Sequence, residues 1–436
     1  MSKTNQFLVE YTDAIRSAGI ESGDCIPSKH TIKRFVRLFK QIDDSRIKDM
    51  TDYPLEEIIL IAFLAVLCNA RSWLGMQSFG LAKEKWLKKF IKLENGIPSH
   101  DTFRRTFSLI SPEQFEHLTV SFLLENINGI RNALKIKNPK PHQICIDGKE
   151  ERGTGRKYGT TEEIRNLQTL HIFDASTEIC LYSRIIDKKT NEIPVAQKLL
   201  KTMQLKGCIV TADALHAQKE TVRIIVEQKG DYCLALKGNQ GVLASEAENA
   251  FTDKVIEQIR SEGNDVYETL EKAHNKVEKR RFLMTKARHK FNGFVEWQNL
   301  RNFIRYEKTM TDIVTGKIVT EIRYYFTSLR DVETCAEAIR GHWAVENKLH
   351  WHLDFNFRED DNTTMDKNAF NNYSIINKMV LSLLKLVQPF EKKGTSISII
   401  RQTFMWDTEG QIEKLLSAID EESIRNALEN AQNQKS

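Results

Sequence analysis

With 436 residues, 41% hydrophobic and 28% charged, the chain is long enough for two or three packed domains and too apolar to be disordered. A net charge of +5 excludes a uniformly polycationic protein, and the longest apolar run, IILIAFLAVLC (58–68), is too short to span a bilayer and reads as a buried helix. The start, MSKTNQFLVEYTDAI, lacks the pattern of a secretory signal, and seven cysteines without a CxxC pair point to a reduced, cytoplasmic protein with no membrane partner.

In chain order, residues 1–140 are expected to be a helical domain. FVRLFKQI, LEEIILIAFLAVLC, FGLAKEKWLKKFIKL and EQFEHLTVSFLLENI carry apolar residues three and four apart. GIPSHDTFRRTFSLI (96–110) has the form of a turn and a capped helix. Ser99 or Asp101 can take the free amides, and Arg104 and Arg105 follow as candidate DNA contacts in the manner of a helix-turn-helix reader. NPKPHQ (138–143) breaks the pattern. QICID (143–147), NLQTLHIFDA (166–175), EICLYSRIID (178–187), GCIVTADA (207–214) and DYCLALKG (231–238) then read as five strands. The second and third, separated by Ser176 and Thr177, predict a hairpin. Helices at 193–205 and 217–230 complete a mixed α/β sheet over 141–240.

Residues 241–330 interrupt this order with an acidic helix, LASEAENAFTDKVIEQI, and three basic strand-like pieces, an expected β-rich insertion. Between 271 and 325, thirteen Lys/Arg stand against six Asp/Glu, a surplus of +7. That surplus makes Lys279, Arg280 and Arg281 candidate phosphate contacts, although a solvated lysine face gives the same count. Trp297 is either a stacking platform for an unpaired base or a core residue. Residues 331–390 return to helix, with Asp331 and Thr334 as a cap, and 391–436 read as a loop, two short helices and a polar tail.

The chemistry sits in the carboxylates. Asp147 and Asp213 each end an apolar strand, where open α/β sheets bind ligands. Ala336, Ile339, Trp343, Glu346, His350 and Leu353 recur at three and four, which predicts one buried stripe with Glu346 in a hydrophobe's place. A buried carboxylate requires a partner or a metal. Three hard oxygen donors suit magnesium, and two such ions about 4 Å apart serve phosphodiester chemistry. Each residue also has an ordinary reading: Asp147 can open a turn at Gly148, Asp213 can cap a helix, and Glu346 can pair with an arginine. His342, Glu346 and His350 share a helix face, yet no cysteine pair or HExxH accompanies them, so zinc is the weaker alternative.

The segments PSHDTFRR (98–105), ICIDGKE (144–150), KKTNEIP (188–194), VTADALHAQK (210–219), DYCLALKGNQ (231–240), RYYFTSL (323–329) and GHWAVENKLHWHLDFNFREDD (341–361) together resemble the bacterial insertion-sequence transposases with a DDE active site, in the branch of the H-repeat-associated and ISAs-type proteins. The resemblance runs to about residue 385. It implies a ribonuclease-H-like catalytic core, a triad of Asp147, Asp213 and Glu346, and two magnesium ions that manganese can replace. It further implies cleavage of DNA at element ends, strand transfer into target DNA, a homodimer in the synaptic complex and a place on the bacterial nucleoid. Lys149, Lys237, Asn239 and Arg340 then become candidate phosphate contacts, and His342 and His350 would orient Glu346 or meet substrate phosphate. The chain departs from the wider group in having His342 and Leu353 where an arginine and a lysine are common. It also has His-Asn-Lys at 274–276 where relatives tend to an HGR-like turn. A catalytically silent DNA-binding relic and a stand-alone metal-dependent nuclease are the rival readings.

Overall fold

A computed structural model describes residues 6–21, 31–47, 51–136, 142–158, 162–186, 192–273, 275–287 and 294–433. Cys25, residues 138–141 of the NPKPHQ break, residues 188–191 of the KKTNEIP segment and His274 lie outside the described residues.

Six helices precede the sheet: α1 (Gln6–Ala18), α2 (Thr31–Phe39), α3 (Leu55–Leu67), α4 (Trp73–Leu87), α5 (His100–Leu109) and α6 (Pro112–Leu134). All residues of α3 except Glu56 are buried, as an apolar run on every face requires. Ser99 rather than Asp101 caps α5, its hydroxyl accepting from the Thr102 amide at 3.2 Å.

The strands are β1 (Gln143–Glu151), β2 (Arg156–Tyr158), β3 (Glu162–Ile164), β4 (Leu167–Asp174), β5 (Ile179–Ile186), β6 (Ile209–Ala212) and β7 (Asp231–Leu236), with α7 (Glu192–Thr202) and α8 (Lys219–Glu227) on either side of β6. β2 and β3 form a separate antiparallel ribbon. β5, β4, β1, β6 and β7 lie in that spatial order. β4 is antiparallel to both of its neighbours, β5 and β1, and β6 and β7 run parallel to β1. This is the ribonuclease-H-like arrangement. The β4–β5 hairpin turns through four residues rather than two, with Glu178 in the left-handed region at φ 56°.

Next come α9 (Gly241–Asn249) and α10 (Asp253–Glu262), two helices where the acidic segment predicts one. Thr252 starts the second by accepting from the Val255 amide. β8 (Val266–Ala273), which the sequence reading missed, precedes β9 (Lys276–Lys286), β10 (Asn302–Asp312) and β11 (Ile318–Thr327). All four join the same sheet. β11 pairs antiparallel with β7, and the nine-stranded order continues β11, β10, β9, β8.

Alternation along the strands fills both faces. Ile144, Ile146, Val210 and Ala212 pack with α7, α8, α9 and α10. On the other face Ile209, Cys233, Phe282 and Ile304 meet α11 (Val332–His342), which starts at Asp331 with its carboxylate accepting from the Thr334 amide at 2.7 Å. After a π-helical turn (Glu346–His350) follow α12 (Trp351–Phe355), α13 (Lys367–Val387), α14 (Ile397–Trp406), α15 (Thr408–Ala418) and α16 (Glu421–Asn433). The last of these helices, α16, covers what the sequence reads as a polar tail. Its Ile424 and Ala427 are buried in the same cluster as α1, α3 and α6.

Candidate active site

Strand register sets Asp147 beside Asp213. β1 and β6 are parallel, with Cys145 opposite Thr211 and Ile146 opposite Ala212, so the next residue on each path is an aspartate. Ile144 and Ile146 point toward α7 and α8, whereas Cys145 packs on the other face. Asp147, two residues on, shares the face of Cys145. The Cys145 thiol donates to the Gly341 carbonyl at 3.6 Å and so ties the end of α11 over that face. Asp213 Oδ1 accepts from the Leu215 amide at 3.0 Å, and Asp147 Oδ1 from the Gly148 amide at 3.0 Å. Of the two ordinary readings, Asp213 does cap, but the short turn Ala214–His216 rather than α8, whereas Asp147 opens no turn, because β1 runs on through Gly148 to Glu151.

Glu346 corrects an expectation. It is exposed and does not belong to a buried stripe. The helix widens into a π turn over Glu346–His350, which shifts the phase of everything before it relative to everything after. The buried side now runs Gly341, Val345, Leu349, Leu353, at steps of four. Glu346 steps off that line toward the crevice. Burial, then the charges of Glu346 and Asp213, push the Asp147 carboxyl up to about 7. The three acidic groups thus share one electrostatic neighbourhood.

The histidines serve the aspartates rather than Glu346. His350 Nδ1 lies 3.6 Å from Asp147 Oδ2, and its Nε2 lies 3.0 Å from His171 Nδ1 on β4. Burial, with Lys149 and Lys378 nearby, holds His350 down to about 3. At neutral pH the contact with Asp147 is therefore a long polar contact of a neutral ring, not an ion pair. If His350 Nδ1 carries its proton toward Asp147, His171 Nδ1 must donate to His350 Nε2. That leaves His171 Nε2 as a bare acceptor, and this atom is indeed buried without a partner. His342 Nδ1 lies 3.2 Å from the Thr211 hydroxyl, and burial holds this ring down to about 4 against the pull of Asp213.

His171, Glu192 and His216 all escaped the sequence reading. Glu192, in the first turn of α7, places Oε1 3.2 Å from Nε2 of the buried His216, which sits in the turn that Asp213 caps. The same carboxylate crowds Gly148, where a Cβ would meet Oε1 at 2.7 Å. Glycine after Asp147 is thus the residue that lets Glu192 approach. The signal was the glutamate of KKTNEIP, but nothing local to it announces a partner 24 positions away.

The candidate DNA contacts divide. Arg104 and Arg105 are exposed on α5, both paired with Asp101, at 2.8 and 2.7 Å. Lys237 is exposed just past β7, and Asn239 donates to the Ala214 carbonyl at 2.5 Å, bracing the turn after Asp213. Lys149 is not a surface cation. It is 5% exposed, bound to Glu151 and, at 2.9 Å, to Asp354, with Glu359 and Asp360 near 4 Å. Alternation turns it inward from Gly148. Arg280 and Arg340 both bind Glu271, while Lys279 and Arg281 both bind Glu268. These glutamates lie on β8, just before or at the edge of the +7 window. Over 241–330 sixteen basic residues face thirteen acidic ones, so most of the apparent surplus is neutralised across the sheet. Trp297 is 5% exposed, edge-on to Phe326 at 5.0 Å, and is a core residue.

Among the described residues, no three His, Cys, Asp or Glu side chains stand close enough to enclose a metal by themselves, which leaves the zinc alternative without a cage. The donor chemistry does fit a hard divalent cation. Magnesium binds through one or two carboxylates and completes its shell with water and substrate oxygens, and mutually repelling carboxylates are relieved by such a charge.

Residues 138–383 match the family described as the transposase DDE domain, and residues 36–123 match the DDE_Tnp_1-associated family. The chain is 32% identical over 360 residues to "Putative protein YbfL" of Escherichia coli K12, covering 81% of this chain and 90% of that one. It is 31% identical over 360 residues, with the same coverage, to the "H repeat-associated putative transposase YhhI" of that strain. At 12% identity and a TM-score of 0.36 it aligns over 95% of its length, and 83% of the other chain, with the piggyBac transposase in a synaptic complex with hairpin DNA. That score is too low to equate the two element by element.

Proposed function

Because the chain belongs to the DDE transposase family, matched over more than half its length, we propose that Asp147, Asp213 and Glu346 are the catalytic carboxylates of this DNA-cleaving and strand-transferring enzyme. What supports the reading is the register that brings Asp147 beside Asp213, together with the raised proton affinity of Asp147 near Glu346. The family implies a divalent metal, which we take to be two magnesium ions with manganese able to replace them. When bound, such ions activate the attacking oxygen and stabilise the leaving one.

The protein's own contribution is placement. Asp147 and Asp213 are fixed by adjacent strands, so their spacing follows from the sheet and not from flexible loops. Glu346 is carried on a helix held down by Val345, Leu349 and Leu353. His350, backed by His171, keeps a neutral ring against Asp147 and leaves its carboxylate free to bind a cation. Exposed Arg104, Arg105 and Lys237 remain the candidates for element-end and target DNA. Two ends must be cut together, which suits a homodimer acting on the nucleoid. No helix among the described residues is long and apolar enough to cross a membrane.

The deciding test is Glu346→Gln, incubated with the element's own end DNA and Mg²⁺. Nicking and joining should fall at least about a hundred-fold while DNA binding persists, since Gln keeps the volume and loses the charge. Full cleavage by this variant would remove Glu346 from the triad.

A further inference from the structure

Alternation along β1 puts Lys149 and Glu151 on the same face as Asp147. On that face Lys149 Nζ meets Glu151 of its own strand and, at 2.9 Å, Oδ1 of Asp354 on α12. Glu359 and Asp360, in the turn after α12, stand 4.0 and 3.9 Å away. One buried ammonium thus serves four carboxylates, helped at the rim by Arg152, 3.9 Å from Asp360. Glu151 Oε1 and Glu359 Oε2 are buried without a hydrogen-bond donor. Burial, then the charge of Glu359, pushes Glu151 up to about 7. A cluster selected for stability alone would not carry such a surplus of buried negative charge.

The placement of the cluster gives it a use. His350 lies 3.6 Å from Asp147, and Asp354, four residues further along the same helical path, reaches Lys149, two residues further along the strand. Four helical residues advance about 6 Å and two strand residues about 6.6 Å, so the two contacts fall in step. One contact alone would leave the helix free to pivot on Asp147. The second sets its direction. Further along, the Arg152 amide donates to Asp360 Oδ1 at 3.4 Å, and Gly153 approaches so closely that a Cβ would collide with the Asp360 and Asn362 carbonyl oxygens. We propose that Lys149 is a positioning residue for the cleavage reaction, pinning α12 through Asp354 so that Glu346 is held at a fixed separation from Asp147. The inference rests on the triad reading above, and it replaces the phosphate contact that the sequence suggested for Lys149.

The test compares the full-length wild type with Asp354→Ala, Asp354→Asn and Lys149→Met. Three quantities are read: the melting temperature in EDTA, the Mg²⁺ concentration giving half of the metal-induced melting shift, and cleavage of end DNA. Burial holds the Asp354 carboxyl above its usual range, so Asp354→Ala removes a poorly solvated charge and should melt in EDTA at or above wild type. Without the pin it should nevertheless need about ten-fold more Mg²⁺ and cleave about 10- to 100-fold more slowly. Asp354→Asn keeps an acceptor for Lys149 and should recover part of both. Lys149→Met leaves four carboxylates facing one another and should shift both readings further. If that variant fails to fold, Asp354→Ala decides. Wild-type Mg²⁺ dependence and rate in Asp354→Ala would overturn the proposal. So would a slower Asp354→Ala that melts lower with an unchanged Mg²⁺ half-point, because the cluster would then be structural support only. A Lys149→Met variant that loses DNA affinity in EDTA at an unchanged Mg²⁺ half-point would also overturn it and return Lys149 to the phosphate backbone. Wild type that neither cuts end DNA nor melts higher with Mg²⁺ would overturn the transposase reading itself, and so is distinguishable from failure of the pin alone.

Discussion

Asp147 shows how one side chain records the state of the whole site. A carboxyl that burial and two like charges push up to about 7 binds its proton more tightly in the folded than in the unfolded chain. Its contribution to metal-free stability is therefore full at low pH, declines as pH rises from about 4 toward 7, and levels off above. In EDTA the melting temperature should fall across that window, with a loss on the order of 4 kcal/mol. Asp147→Asn should flatten the profile and melt higher than wild type at pH 8. Magnesium competes with the same proton, so the rise in melting temperature it causes should be larger at pH 8 than at pH 5.5. A flat wild-type profile in EDTA would mean the three carboxylates do not interact. Glu192 gives a second residue-level expectation. Glu192→Ala leaves the buried His216 Nε2 without its acceptor and should slow cleavage about 10- to 100-fold, the range seen when a supporting partner is removed. Glu192→Gln, which retains an acceptor oxygen, should recover part of that rate. Equal rates for the two variants would show that charge, not the hydrogen bond to His216, is what matters.

Among elements, the π turn at Glu346–His350 separates what the sequence could show from what it could not. The spacing of Ala336, Ile339, Trp343, Glu346, His350 and Leu353 has helical period, and a helix is there, but a period counted at 3.6 assumes that the ladder never widens. One widened turn moves Glu346 from stripe to crevice. The widening depends on packing against the sheet and α13, which no local spacing records. Deleting Asn347 should let the segment relax to α-helix. Helical content by circular dichroism should hold, while cleavage is lost because Glu346 and His350 can no longer face the aspartates together. A fully active deletion variant would show the π turn to be dispensable. The basic strands teach a similar lesson. Lys279, Arg280 and Arg281 look like a phosphate patch in the linear sequence, because their partners Glu268 and Glu271 lie on β8, a strand too polar to be noticed. Neutralising all three should cost roughly 1–3 kcal/mol of stability, with Arg280 the largest part, since it is 10% exposed between two carboxylates. The salt dependence of DNA binding should hardly change. A slope lowered by about three contacts with unchanged melting would restore the patch reading.

For the molecule as a whole, the five central strands were legible because strand periodicity is local, and Asp213 because it ends β6; Asp147 was found where the apolar run stops, although β1 itself continues to Glu151. The way the chain closes on itself was not. The first helices, the far face of β1, β4 and β5, and the last three helices contribute to one continuous hydrophobic cluster. Arg401 on α14 fastens that closure. It is 2% exposed, donates to the Val66 carbonyl near the end of α3 at 2.8 Å and to the Asn356 carbonyl just past α12, and lies 4.1 Å over the Phe357 ring. Burial holds its guanidinium down to about 10, so it still carries its charge at neutral pH. A single side chain thus joins the N-terminal helices to the segment that carries Glu346, through carbonyls at helix ends. Arg401→Leu fills similar apolar space but removes the guanidinium from the Asn356 carbonyl and leaves Val66 only the Asn69 amide, which should cost about 1–3 kcal/mol. It should also slow cleavage through the displaced α12, although Arg401 touches none of the carboxylates. Removing residues 391–436 should go further and destroy the single cooperative transition, because α14, α15 and α16 are part of the core. Calorimetry distinguishes the possibilities. A truncated chain that melted at the wild-type temperature and cleaved normally would show that the C-terminal helices are an appendage, and that the catalytic helix is held by the sheet and α13 alone.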